Sequence, residues 1–270
     1  MKKTMLLFFS LCMVIGSSGQ LWSAVFISGP LDHDFELAQG TKLEGTITLV
    51  NPDNQDADVK LYQVDMADCG KTTTCSAPGT AIRSNALWVS LGDADYVTLK
   101  PRETRDVKYK IAIPMDRELH GTYWSIIMVE PVKPAVIDKQ EGFKLDAIIR
   151  YGVQIITSIG DETNWNIDVI EKSIEVQCDQ RVFKLSVENS GTRAFKAPVF
   201  FQMFSKAGEN IMKVKTLARR IFPDSSIQFL FNIPNEVAPG QYQILLFLEN
   251  DDDFVGVEYD VTLPELPAGI

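Results

Sequence analysis

The chain has few of the residues from which catalytic and metal centres are built. It contains two histidines, His33 and His120, and four cysteines in 270 residues. A zinc site needs four ligands, and these histidines lie far from the cysteines and from each other. His120, in a loop beside Glu118 and Gly121, is read as solvated. No G-x-S-x-G elbow and no phosphate-cradling glycine loop is present. Helical periodicity is missing apart from a weak segment over Ile211–Arg219, and beyond the N-terminal leader no apolar run is long enough to span a bilayer. Positive charge is also short. The formal net charge is −10, and setting aside Lys2 and Lys3 leaves 24 basic against 36 acidic residues. Nucleic-acid binding, which needs Lys and Arg to neutralise phosphates, is excluded, and so is a polybasic lipid-binding face. Asp53, Asp56 and Asp58, and Asp251 to Asp253, do not follow calcium-loop spacing and suit β-turns better. These absences argue against an enzyme and imply no metal and no cofactor.

What remains is the composition of a globular protein, 45% hydrophobic and 23% charged, able to bury a core. The first 24 residues read as a secretory leader. Lys2 and Lys3 precede an apolar run from Met5 to Ile15 and then the small residues Gly16 to Gly19, with cleavage after Gly19 or after Ala24. Cys12 falls within this discarded segment. The mature protein is expected in the periplasm, with no membrane insertion. In that oxidising compartment Cys69 and Cys75, bracketing C-G-K-T-T-T-C, are expected to pair as a disulfide, with metal binding the alternative. A loop this short contributes about 2 kcal/mol. Cys178 is left over, read as an inert buried or edge thiol.

The most patterned stretch runs from Tyr96 to Glu130. Val107, Tyr109, Ile111 and Ile113 alternate with Asp106, Lys108, Lys110 and Ala112, the period of a strand with one buried face. Pro114 ends that strand, and Gly121 opens a second run of β-formers through Tyr123, Trp124, Ile126, Ile127 and Val129. A weaker copy begins at Arg220. Pro101, Pro114, Gly121 and Tyr123 answer to Pro223, Pro234, Gly240 and Tyr242, at spacings of 13, 7 and 2 against 11, 6 and 2. T-I-T-L-V-N ending at Asn51 is echoed by F-K-L-S-V-E-N ending at Asn189. The chain therefore reads as two copies of one unit.

Val25 to Leu37 reads as a first strand interrupted at Gly29 and Pro30. The stretch from Pro131 to Lys144 reads as an exposed loop, and Ala147 to Thr157 as a strand with Ile149, Tyr151, Val153 and Ile155 on one face. Short strands at regular spacing define an all-β chain of two tandem immunoglobulin-like β-sandwich domains. Their expected bounds are 25–158 and 165–265, with Ile159 to Asn164 as linker. Tyr123 and Tyr242 are candidates for tyrosine corners.

The run L-K-P-R-E-T-R-D-V-K-Y-K-I-A-I-P-M-D-R-E-L-H-G-T-Y-W resembles the late part of the first domain in periplasmic pilus-assembly chaperones of the PapD-like superfamily. V-E-N-S-G-T-R, R-R-I-F-P and P-G-Q-Y resemble parts of the second domain in the same broad group. The resemblance implies two immunoglobulin-like domains set at an angle, and donation of a first-domain strand to an incomplete pilin-like subunit, a form of β-augmentation. Ala147 to Thr157 matches the donor strand, with Ile149, Tyr151, Val153 and Ile155 as partner-binding residues. Such chaperones hold the subunit's terminal carboxylate with a basic pair, one member in the first strand. Val25 to Leu37 has no Arg or Lys, so Arg150 or Lys144 would supply only the second member. The expected partners are exported pilin-like subunits. The alternative is an envelope binding or scaffolding module that contacts cell-wall polymer or another envelope protein.

Overall fold

The computed structural model describes residues 25–67, 74–116, 118–132, 135–139, 143–147, 149–160, 165–249 and 254–266. In chain order the first half contributes β1 (Phe26–Ser28), β2 (Asp32–Leu37), β3 (Lys42–Val50), β4 (Ala57–Ala67), β5 (Thr74–Ser76), β6 (Val89–Ser90), β7 (Tyr96–Leu99), β8 (Thr104–Ala112), β9 (Gly121–Pro131), β10 (Ala135–Lys139), β11 (Phe143–Ala147) and β12 (Tyr151–Ile159). The second half contributes β13 (Ile167–Gln177), β14 (Gln180–Asn189), β15 (Phe195–Ala197), β16 (Val199–Ser205), β17 (Asn210–Lys215), β18 (Arg219–Ile221), β19 (Ser225–Ile233), β20 (Gly240–Glu249) and β21 (Phe254–Leu263). The chain is all-β among its described residues apart from a 3-10 turn at Ala86–Trp88.

Two sandwiches result. In the first, a sheet ordered β1-β3-β8-β6 faces a sheet ordered β2-β12-β9-β4-β5, with β7 beside β4. The alternation of β8 works as its sequence implies: Val107, Tyr109, Ile111 and Ile113 are all buried in a core shared with Ile127, Val129 and Val153 of the facing sheet. In the second, sheets ordered β13-β14-β19 and β17-β16-β20-β21 close on a separate core built around Phe183, Phe201 and Phe231. The interrupted first strand proves to be two strands in different sheets. β1 pairs with Thr48–Val50 of β3, the chain turns at Gly29 with a φ of 125°, and β2 lies parallel to β12. Gly29 supplies a conformation that L side chains rarely adopt.

The two echoed asparagines do the same work in each unit. Asn51 donates its amide to the Gln55 carbonyl at 2.8 Å and the Lys100 carbonyl at 2.9 Å, while its Oδ1 accepts from the Asp53 N–H at 3.0 Å. Asn189 donates to the Arg193 carbonyl at 2.7 Å and the Ile221 carbonyl at 3.0 Å, and its Oδ1 accepts from the Gly191 N–H at 3.0 Å. Both are fully buried. Each satisfies backbone groups where a strand ends and the chain turns, groups that would otherwise be left unpaired in the interior. Tyr242 forms a tyrosine corner, its hydroxyl donating to the Ala238 carbonyl at 2.9 Å. The Tyr123 ring packs on Trp88, with centroids 4.8 Å apart.

Three expectations need correction. The stretch read as a loop after Pro131 contains a β-hairpin, β10 against β11, whose backbone register pairs Lys144 with Asp138. The weak helical segment at Ile211 is strand β17, paired to β16. In a short run such as I-M-K-V-K periodicity does not separate helix from strand, and the neighbouring strand decides. Cys178 is exposed, in the turn between β13 and β14 with a φ of 46°. Cys75 lies exposed on β5 opposite Met66; its expected partner Cys69, and Asp251 to Asp253, lie outside the described residues. If the bridge forms, the mature protein alkylated without reductant should carry one label, on Cys178, and three after reduction. Three labels on freshly exported, unreduced protein would rule the bridge out.

Candidate partner-binding edge

β12 is the strand on which the expected site falls. On one side it pairs antiparallel with β9 along its whole length, from Tyr151↔Val129 to Ile159↔Gly121. On the other side β2 lies parallel to it, but only from Gln154↔Asp32 to Ile159↔Leu37. Tyr151, Gly152 and Val153 therefore keep an edge with no strand beside it among the described residues. β11 ends at Ala147 just before this open edge, and Ile149 and Arg150 connect the two.

The expected face is divided by burial. Ile149 is 46% exposed, Tyr151 is half-buried, and Val153 and Ile155 are at 0%. The last two point into the first sandwich and complete its core, so a partner strand cannot take up their side chains while the domain is intact. The accessible part of the face is Ile149 and Tyr151. Gln154, expected on the opposite face, is half-buried, and Ile156 on that face is fully buried.

What covers Ile156 is the second domain. Trp124 stacks on Phe222 with centroids 4.4 Å apart, and Met66, Ile126 and Ile156 surround them. Beside this contact the Thr122 N–H donates to the Thr192 carbonyl at 2.9 Å, and the Ala194 N–H donates to Thr122 Oγ1 at 2.9 Å. A row of ion pairs extends it. Asp32, Asp34 and Glu36, at alternate positions of β2, meet Lys196, Arg220 and Arg193 of the second sandwich. Lys196 Nζ lies 2.7 Å from Asp32, and its hydrogen bond holds the Asp32 carboxyl below its ordinary value against the opposing effect of burial. D-H-D-F-E carried a signal for this contact: carboxylates at every second position of a strand whose other face is half-apolar.

The two residues proposed as a carboxylate anchor are differently placed. Arg150 is exposed and pairs with Glu130 Oε1 at 2.9 Å, while Tyr62 donates to Glu130 Oε2 at 2.8 Å. The Tyr62 hydrogen bond, with Arg150 assisting, holds the Glu130 carboxyl below its ordinary value. Lys144 is known by its backbone register on β11. β1 and β2 carry no Arg or Lys, as read from the sequence, and the carboxylates of β2 face cations of the second domain.

One buried carboxylate escaped the sequence reading. Asp65 on β4 accepts from the Thr80 N–H at 2.7 Å, the Ala81 N–H at 2.8 Å and the Ser84 hydroxyl at 2.5 Å, fastening the loop that carries Arg83. Arg83 in turn reaches Asp224 of the second domain at 3.7 Å. Asp56 pairs with Lys100 and Asp58 accepts from Thr98, so both are taken up locally. Among the described residues no three His, Cys, Asp or Glu side chains gather as metal ligands.

Many solved structures similar to this chain are fimbrial chaperones of the PapD-like kind. The class 5 fimbriae chaperone CfaA is 14% identical with a TM-score of 0.47, over 90% of this chain and 100% of that one. The CsuC–CsuE chaperone–tip adhesion subunit pre-assembly complex of Acinetobacter baumannii is 11% identical with a TM-score of 0.46, over 87% and 98% of the two chains. The YadV chaperone is 11% identical with a TM-score of 0.44, over 89% and 100%. No family model and no curated protein matches the sequence. No helix among the described residues is long and apolar enough to cross a membrane.

Proposed function

We propose that this protein is a periplasmic chaperone that holds exported pilin-like subunits by strand addition at the open edge of β12. The observation that carries the reading is the accessible start of that strand. Among the described residues no strand lies beside Tyr151 to Val153 on one edge, and Ile149 and Tyr151 present apolar surface next to it. A strand edge of this kind is a template for pairing with another chain, and apolar side chains next to it select what pairs. The sequence resemblance over Leu99 to Trp124 points the same way. No catalytic step is part of this reading. Without a basic residue in β1 or β2, capture of a terminal carboxylate falls to Arg150 or Lys144, or is dispensed with.

The test is the double variant Ile149→Asp, Tyr151→Asp expressed with its leader. Ile149 is exposed but Tyr151 packs against the first core, so the double variant should lose about 1–3 kcal/mol and keep its first transition. Recovery of co-purifying exported subunits from periplasmic extracts should be lost. Equal recovery from wild type and variant would refute the edge as the binding site. If the wild type brings down an envelope polymer or scaffold protein instead, the envelope-module reading takes over.

A further inference from the structure

β2 carries a second set of side chains on its inner face. While Asp32, Asp34 and Glu36 turn to the second domain, His33 turns towards the core, its Nδ1 2.6 Å from the Tyr109 hydroxyl. Tyr109 belongs to β8, in the opposite sheet. Its ring lies across Gly45, where an added Cβ would come within 2.1 Å of it. Burial holds the phenol far above its ordinary value, so the hydroxyl keeps its hydrogen, which Nδ1 accepts in the imidazole tautomer that carries its own hydrogen on Nε2. Beside the pair a hollow of about 480 Å³, lined in part by Phe35, Thr46 and Thr48, opens at the surface. It lies where β1 has left β3, whose edge from Lys42 to Ile47 has no strand beside it among the described residues.

We propose that His33 and Tyr109 form an acid-sensitive latch that holds β2 against β12, and that protonating His33 frees β2 and lengthens the strand edge open to a partner. The consequence for binding rests on the function proposed above; the latch itself does not. Among the described residues β2 is an edge strand, paired on one side only and held on its outer face by ion pairs to the second domain. It lies at the sheet's rim, its ladder is parallel, and it covers only Gln154 to Ile159 of β12, and short edge elements open at the lowest cost. Lifting it would extend the free edge of β12 from Tyr151–Val153 to the whole strand.

Protonation works against the latch in two ways. It turns Nδ1 from acceptor to donor, leaving the phenol hydrogen without its partner, and it places a cation in a half-buried site. The groups facing His33 do little to offset this. β8 presents Tyr109, β3 presents Gly45 and Ile47 on its inner face, and β12 pairs Ile155 with it. On β2 itself Asp32 and Asp34 are engaged by Lys196 and Arg220. Burial accordingly holds the imidazole below its ordinary 6.5, with the Pro30 carbonyl and Asp32 pulling weakly the other way. The released strand therefore binds the proton first. The latch is at full strength above the ordinary value and weakens as the pH falls through 6.5 towards the lowered one. Asp32, held low by Lys196, yields only in a more acid range.

Hydrogen exchange of the full mature chain at about pH 7.5 and about pH 5.5, either side of the histidine range, tests this without any partner. After correction for intrinsic rates, the amides of Asp32–Leu37 and Gln154–Ile159 that join the two strands should exchange several-fold faster at the acid pH, up to the roughly tenfold that one pH unit below the ordinary imidazole value allows. The β4–β9 ladder should stay protected. With only two histidines in the chain, the His33 titration can be followed by NMR in the same samples. His33→Gln keeps an acceptor for Tyr109 but cannot titrate, and its exchange should not respond to pH. Tyr109→Phe keeps the ring and removes the bond, and should speed exchange of β2 already at neutral pH. A flat response in the wild type, an acid response that survives His33→Gln, or loss of protection spread evenly over the domain would each overturn the latch. A flat response would leave binding at Ile149 and Tyr151 untouched, whereas acid release with no subunit recovered would keep the latch and remove its proposed role.

Discussion

Gly121→Ala is expected to loosen the two sandwiches from one another and to destabilise the protein by about 2–4 kcal/mol. Two costs add. Gly121 has a φ of 80°, which a side chain adopts only with strain, and an added Cβ would lie 2.1 Å from the Thr192 carbonyl oxygen of the second domain. That oxygen already accepts the Thr122 N–H at 2.9 Å, so it cannot withdraw without losing a hydrogen bond between the domains. Gly92→Ala separates the two costs. Its φ is 58°, but nothing lies within 4 Å of the added Cβ, so it should show the backbone strain alone, about 1–2 kcal/mol. Calorimetry of both variants, with limited proteolysis between residues 160 and 165, reads the difference. Gly121→Ala should unfold in two separated transitions and be cut faster there, and Gly92→Ala should do neither. Equal behaviour of the two would mean that Thr192 moves aside freely and that the glycine serves only its own turn.

That glycine illustrates what a sequence of this kind discloses. Its place in the repeat was legible because turns and strand starts write themselves locally: a proline that ends β8, a glycine that opens β9, a period of two between them. The same holds for Asn51 and Asn189, whose echo follows from the same capping task performed twice. The need for an empty space at Gly121 was not legible, because Thr192 comes from the other sandwich. Long-range pairing hides the rest in the same way. Nothing in Val25–Leu37 states that its halves join different sheets, since either sheet accepts the same alternation. Lys139, Lys144 and the prolines before β10 read as loop because the stretch has no sustained apolar alternation, and the pairing of β10 with β11 is decided between the two strands. The row Ile149, Tyr151, Val153, Ile155 is continuous in sequence and divided in space, because β2 and the facing sheet bury its far half.

That division sets the largest effect expected in the first domain. Val153→Asp places a carboxylate at a position with no solvent exposure, in a core shared with Ile127, Ile155 and Tyr109. An unpaired charge there costs several kcal/mol, of order 4 or more, a large share of the 5–15 kcal/mol that holds a domain of ordinary stability together. The variant should be recovered poorly from the periplasm, or with its first transition lost in calorimetry while the second sandwich still melts. Ile149→Asp, four residues earlier on the same nominal face, should melt within about 0.5 kcal/mol of the wild type. Loss of subunit binding by Val153→Asp therefore says nothing about the edge, since an unfolded domain binds no strand. Loss by Ile149→Asp with an unchanged first transition does. If Val153→Asp folded with normal stability, the inner face of β12 would not be core, and all four residues would return as candidates for contact with a partner.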